Sequence, residues 1–123
     1  MGFLDNHALK ILGVTRIVAG LCFLEHGTMK IIGFPPGHSP ALLSLSGISG
    51  IIELVAGSLI ILGFYSRCAA FIASGTMAFA YFLGHFPRNF FPVLNGGDAA
   101  ILFCFIFLYL AAAGPGAFAL NKK

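Results

Sequence analysis

Long stretches of this chain carry no formal charge. None of Asp, Glu, Lys or Arg falls between Arg67 and Arg88, and none between Asp98 and Lys122. An uncharged apolar run of about 20 residues matches the roughly 30 Å hydrocarbon core of a bilayer when it is helical. Composition extends the constraint to the whole chain, since 59% of residues are apolar and 9% charged, against about 25% charged in soluble domains. A water-soluble fold is excluded. Four spans of about 20 residues use about 80 positions, so 123 residues leave only short loops and no separate soluble domain.

Breakers divide the chain into four expected helices, all within a single membrane domain. The first runs over about 8–32, ending before Gly33-Phe34-Pro35-Pro36-Gly37. The second covers about 41–63, with Pro40 placed for a first turn. The third covers 66–86, stopping before Pro87, and an aromatic loop follows at Arg88-Asn89-Phe90-Phe91-Pro92, of a kind that suits the headgroup level. The fourth covers about 96–113, ending at Gly114-Pro115-Gly116. Arg16 and Glu25 interrupt the first apolar run, and no small-residue cleavage site follows it. It therefore reads as a span rather than a signal peptide.

The fold expected is an all-α, polytopic, antiparallel bundle of four transmembrane helices. Lys10, Arg67, Lys122 and Lys123 fall on one side and only Lys30 and Arg88 on the other. The positive-inside rule then places both termini in the cytoplasm.

A charge at a helix centre costs about 2.5–3.5 kcal/mol on the insertion scale, so each intramembrane charge needs a partner. Arg16 and Glu53 are the two deepest, and their helices run antiparallel, so they are expected to form an ion pair. Gly13, Gly20 and Gly27 recur every seven residues, with Arg16, Phe23 and Lys30 three after each. Ser46, Gly50, Glu53 and Gly57 share a face of the second helix. Small residues let helix backbones approach where lipid supplies no hydrophobic driving force. The two faces are expected to pack together.

A second group of polar residues collects at the outer end: Glu25, His26 and Lys30, then Tyr81, His85 and Arg88, then Asn95 and Asp98, with His38 in the first loop. His26, Lys30, Glu53, Tyr81, His85, Asn95 and Asp98 are the candidate ligand pocket. Asn95 and Asp98 have a local reading too, as a capping box for the fourth helix. Gly96 and Gly97 would leave its N–H groups open to an anion or carbonyl oxygen.

Other chemistries lack their residues. There is no His pair at i,i+4 and no H-E-x-x-H, so no metal site is expected. Cys22, Cys68 and Cys104 form no C-x-x-C and are read as free apolar thiols, for which thiolate chemistry is suppressed by apolar surroundings. No phosphate loop, nucleophile elbow or haem attachment motif is present. The scattered basic residues form no stripe for nucleic acid.

These residues resemble the DoxX family of small four-helix bacterial membrane proteins. The resemblance rests on Arg16-x3-Gly20-x2-Phe23-x2-His26-Gly27-x2-Lys30-x2-Gly33 and on Gly50-x2-Glu53-x3-Gly57. It continues through Leu62-Gly63-x3-Arg67-x2-Ala70, Met77 and Asn95-Gly96-Gly97-Asp98, and so covers nearly the whole chain. Asp98 departs from the Glu common in the family, and its carboxylate reaches one methylene less far.

The family takes its name from a subunit associated with thiosulfate:quinone oxidoreductase, and other members are linked to oxidative stress and thiol redox complexes. The resemblance thus implies membrane-linked redox work in the bacterial cytoplasmic membrane. A quinone head group is the expected ligand, hydrogen-bonded by Tyr81, His85 or Asn95, with Glu53 or His26 taking part in proton transfer. No intrinsic cofactor is expected, so any catalysis would depend on a redox protein partner or a homo-oligomer. Two other classes compete: a small proton-coupled transporter using Glu25 or Glu53, and a non-catalytic structural subunit.

Overall fold

The computed structural model describes all 123 residues, as helices and turns with no strand. A single turn, α1 (Gly2–Asp5), precedes the long α2 (Ala8–Ile31). The second long helix, α3 (Leu45–Leu62), leads through a three-residue turn into α4 (Ser66–Ala80). The rod of α4 continues through a π turn over Tyr81–His85 and a 3-10 turn over Phe86–Arg88. A short α5 (Pro92–Asn95) then turns the chain into α6 (Asp98–Ala113).

The ends of these helices follow from local chemistry, with three departures from expectation. α3 starts at Leu45 rather than near 41, because Ser44 is the residue that caps it. The Ser44 Oγ accepts from Gly47 N at 3.1 Å, satisfying a donor that has no intrahelical partner, and Ala41 to Ser44 form the turn before it. The third helical rod does not stop before Pro87. Proline sits in the first positions of a 3-10 turn there, where its missing N–H costs nothing. The capping box expected at α6 is absent: Gly97 occupies the N-cap, no side chain caps that end, and Asn95 belongs to the preceding α5.

The end of α3 is sequence-encoded. Gly63 takes a left-handed conformation, φ 66°, while Gly63 N donates to Ile60 O and Phe64 N to Leu59 O. This closes the helix in a Schellman motif that a side chain at Gly63 would strain.

Helices α2 and α3 pack antiparallel along their glycines. Gly20 meets Ile60 and Ile61, Gly57 meets Leu24, and Gly27 meets Gly50 and Leu54. A methyl group on Gly27 would lie 2.8 Å from Leu54 N and 2.9 Å from Gly50 O, so the backbones touch. Gly13 leaves this face, since it packs on Ala117 of the C-terminal segment rather than on α3.

α4 presents Ala69, Ala70, Ala73 and Ser74, all buried, between α3 and α6. The Ser74 hydroxyl donates to Cys104 O at 2.7 Å. Phe23 and Phe107 meet edge to face at 4.9 Å between centroids at the centre of the core. Outside that core the surface is apolar, with Val55, Phe71, Phe79, Phe82, Leu102 and Phe105 exposed. A soluble monomer does not carry exposed apolar area on this scale.

The C-terminal segment returns across the molecule. Ala117 N donates to Leu9 O, Leu120 N to Leu62 O and Asn121 N to Gly63 O. It thereby joins the start of α2 to the turn between α3 and α4.

Candidate functional site

Arg16 does not pair with Glu53. It is fully buried opposite the end of α3, and its five N–H groups meet five carbonyl oxygens. Nε donates to Ile60 O at 2.9 Å, and Nη2 donates to Phe118 O at 2.8 Å and more weakly to Ile61 O. Nη1 donates to Ala117 O at 3.0 Å and to Pro115 O. A planar fork with fixed donors suits such a cage, which a lysine could not fill. The last carbonyls of α3 also carry the negative end of its dipole, which favours a cation there. Arg67 does the same for α6, donating to Ala111 O at 3.0 Å and Ala112 O at 2.9 Å. Both arginines therefore close helix ends.

The partner of Glu53 is Lys30. Their charged atoms lie 2.8 Å apart, with Glu53 almost wholly buried and Lys30 at 15% side-chain exposure. The register explains the choice: Gly27 sits against Glu53 and Gly50 against Lys30, so the lysine reaches back one turn along the same interface. Ser49, one turn before Glu53, has a buried hydroxyl with no partner.

Tyr81, His85 and Asn95 form a third polar group, where the π turn faces α5. The Asn95 side chain is 2% exposed. Its Nδ2 donates to Tyr81 Oη at 3.1 Å and Asn89 O at 2.9 Å, and its Oδ1 accepts from Gly97 N at 2.8 Å. Gly97 is required because a Cβ there would lie 2.6 Å from the Tyr81 ring. His85 Nδ1 lies 3.1 Å from Asn95 O. A carbonyl oxygen only accepts, so Nδ1 carries the proton, and Nε2 of the neutral ring is an acceptor. Tyr81 Oη accepts from Asn95, which leaves its own proton to donate. The cluster thus offers one donor and one acceptor on neighbouring rings, 6.4 Å between centroids.

The remaining expected residues divide. The His26 ring stands on Phe103, 5.9 Å between centroids, and its Nδ1 lies 2.8 Å from Cys22 O, so its Nε2 is likewise open. Asp98 is exposed and does not join the cluster, as are Glu25, His38 and Arg88. No hydrogen bond joins the Lys30–Glu53 pair to Tyr81, His85 or Asn95. Three participants were not expected: Asn89, Gly97 as part of the cluster, and the 115–118 segment around Arg16. The turn-forming Gly114-Pro115-Gly116 is the only sequence signal for the last. No three His, Cys, Asp or Glu side chains converge anywhere in the chain, and the three cysteines are free.

Helices with an apolar outer surface and charges held inside define a small helical membrane protein. The model of the DoxX family matches residues 11–86. An uncharacterized protein of Haemophilus influenzae is 40% identical over 134 aligned residues, taking in 100% of this chain and 97% of that protein. No solved structure matches. The chain belongs to the DoxX family.

Proposed function

We propose that the chain is a four-span, N-in/C-in protein of the bacterial cytoplasmic membrane and an accessory, quinone-interacting subunit of a membrane-linked redox system. Helix length supports the topology. α2, α3 and α6 have 24, 18 and 16 residues and the α4 rod 23, or about 36, 27, 24 and 34 Å. The shortest falls below the roughly 30 Å core, a mismatch that local thinning absorbs. The basic excess lies at the end where α2 begins, in keeping with the positive-inside rule.

One observation carries the functional reading: buried Asn95 holds buried Tyr81 beside half-buried His85, so that a hydrogen-bond donor and an acceptor stand together at one end of an apolar bundle. A quinone carbonyl takes a proton donor, and a quinol hydroxyl gives its proton to a base. The Lys30–Glu53 pair supplies a charged couple between α2 and α3. Glu53 held by lysine counts against the free carboxylate that a proton-coupled transporter needs. No reaction is assigned to the chain alone.

The experiment is mass spectrometry of the protein taken in mild detergent from its native membrane, recording bound small molecules and co-purifying proteins. Quinone or an oxidoreductase partner is the expected result, with quinone lost in Tyr81→Phe and in Glu53→Gln. A lone protein carrying only bulk lipid refutes the reading.

A further inference from the structure

We propose that the furrow between α2 and α6 is a binding site for an anionic phospholipid, seating one acyl chain against Val18 and Leu102 with the phosphate on Lys10. The site needs the chain to lie in a bilayer and does not depend on quinone binding.

α2 and α6 meet less closely than α2 and α3 or α4 and α6 do. They meet through Phe23, Phe103 and Phe107 and leave a lipid-facing furrow of about 720 Å³ beside that contact, within the range of about 300–1,000 Å³ for ligand sites. Its walls are Val14, Val18 and Cys22 on α2 and Leu102 and Ile106 on α6. From Lys10 to Cys22 it extends about 18 Å along α2, close to the roughly 15 Å of one leaflet's hydrocarbon. A single acyl chain fits that length.

The headgroup end is charged in the right sense. Lys10 is the cation on the furrow and makes no salt bridge, the only ion pair in the chain being Lys30–Glu53. Arg67, Lys122 and Lys123 lie at the same end of the bundle, and Arg67 contacts carbonyls only. Asp5, the acid at that end, lines a neighbouring hollow beyond Ile11 and Thr15 rather than this one.

Phe118 supplies an independent observation. It lines the furrow beside Lys10 from a left-handed backbone, φ 62°, a conformation a bulky residue holds only when its surroundings enforce it. Arg16 enforces it, by donating to the Phe118 carbonyl. The cage around Arg16 thus sets one wall of the furrow at headgroup depth.

The test reconstitutes the full chain in nanodiscs of equal phosphatidylglycerol and phosphatidylcholine and reads retained lipid by native mass spectrometry. A cation near the surface favours anionic lipid about five-fold, so wild type is expected to retain phosphatidylglycerol by about that ratio. Lys10→Gln, an exposed change, equalises the two lipids. Val18→Trp fills the furrow and releases both, and Leu102→Trp does so from α6 if the first variant fails to fold. Equal retention by wild type, a preference that survives Lys10→Gln, or a dimer closed over this face without lipid overturns the proposal.

Discussion

Replacing Arg16 by methionine tests how the C-terminal segment is joined to the bundle. Methionine keeps an unbranched apolar stem but removes every donor. The carbonyls of Pro115, Ala117 and Phe118 accept from Arg16 and from no backbone N–H. A buried carbonyl left unsatisfied costs about 1–3 kcal/mol. The segment lies at the end of the bundle and can open to water, so the low end of that range applies, and three carbonyls give about 3–5 kcal/mol. Arg16→Lys keeps the charge and part of the bonding and is expected to lose about 2 kcal/mol. The assay is dodecyl sulfate unfolding in mixed micelles followed by circular dichroism, with carboxypeptidase digestion reporting release of the 114–123 segment. Arg16 and Glu53 occupy separate networks, so their double variant is expected to be additive within about 0.5 kcal/mol. Arg16→Met unfolding with wild type, digestion unchanged, or coupling to Glu53 above about 1 kcal/mol refutes the reasoning.

Three further outcomes follow from the same geometry. Lys30→Gln strands a buried carboxylate and is expected to cost about 3–5 kcal/mol, more than Glu53→Gln, and the double variant is expected to recover part of the loss; additivity in this cycle would show the pair to be uncoupled. Gly27→Ala forces a methyl group between two backbones and is expected to lose about 1–3 kcal/mol. Gly75→Ala meets nothing within 4 Å and is expected to gain up to about 1 kcal/mol, and a reversed order in unfolding midpoints would contradict the packing. Asn95→Ala removes the bonds to Tyr81, Asn89 and Gly97 and is expected to cost about 2 kcal/mol, with the tyrosine absorbance of Tyr81 shifting as its neighbour is lost. An unchanged spectrum and midpoint would place Asn95 outside the cluster.

Much of the fold is legible in the sequence because it is written locally. Apolar runs set the helices, Gly33 to Gly37 ends the first, and Gly63 stops the α3 helix through its own backbone freedom. Side-chain partners were legible only where a short turn fixes the register. The turn from Gly63 to Tyr65 ties α4 to α3, and α5 ties Asn95 to Tyr81. Such spacing brought Tyr81, His85 and Asn95 into one expected site.

The separate partners of Arg16 and of Glu53 depend on a different kind of information. The connection from Ile32 to Ser44 is long enough for α2 and α3 to slide past one another, so spacing leaves the register of their hairpin open. Close packing of Gly20, Gly27, Gly50 and Gly57 sets it instead, putting Glu53 within reach of Lys30 and Arg16 beside Gly63, about 15 Å away along α3. The C-terminal segment supplies a set of backbone carbonyls for a buried guanidinium, which no local pattern encodes. Sequence alone determined that this chain is an apolar, helical membrane protein, because hydrophobicity and helix breaking act over a few neighbouring residues. Tertiary structure decided which charge meets which partner, because that depends on the register of backbones far apart in the chain.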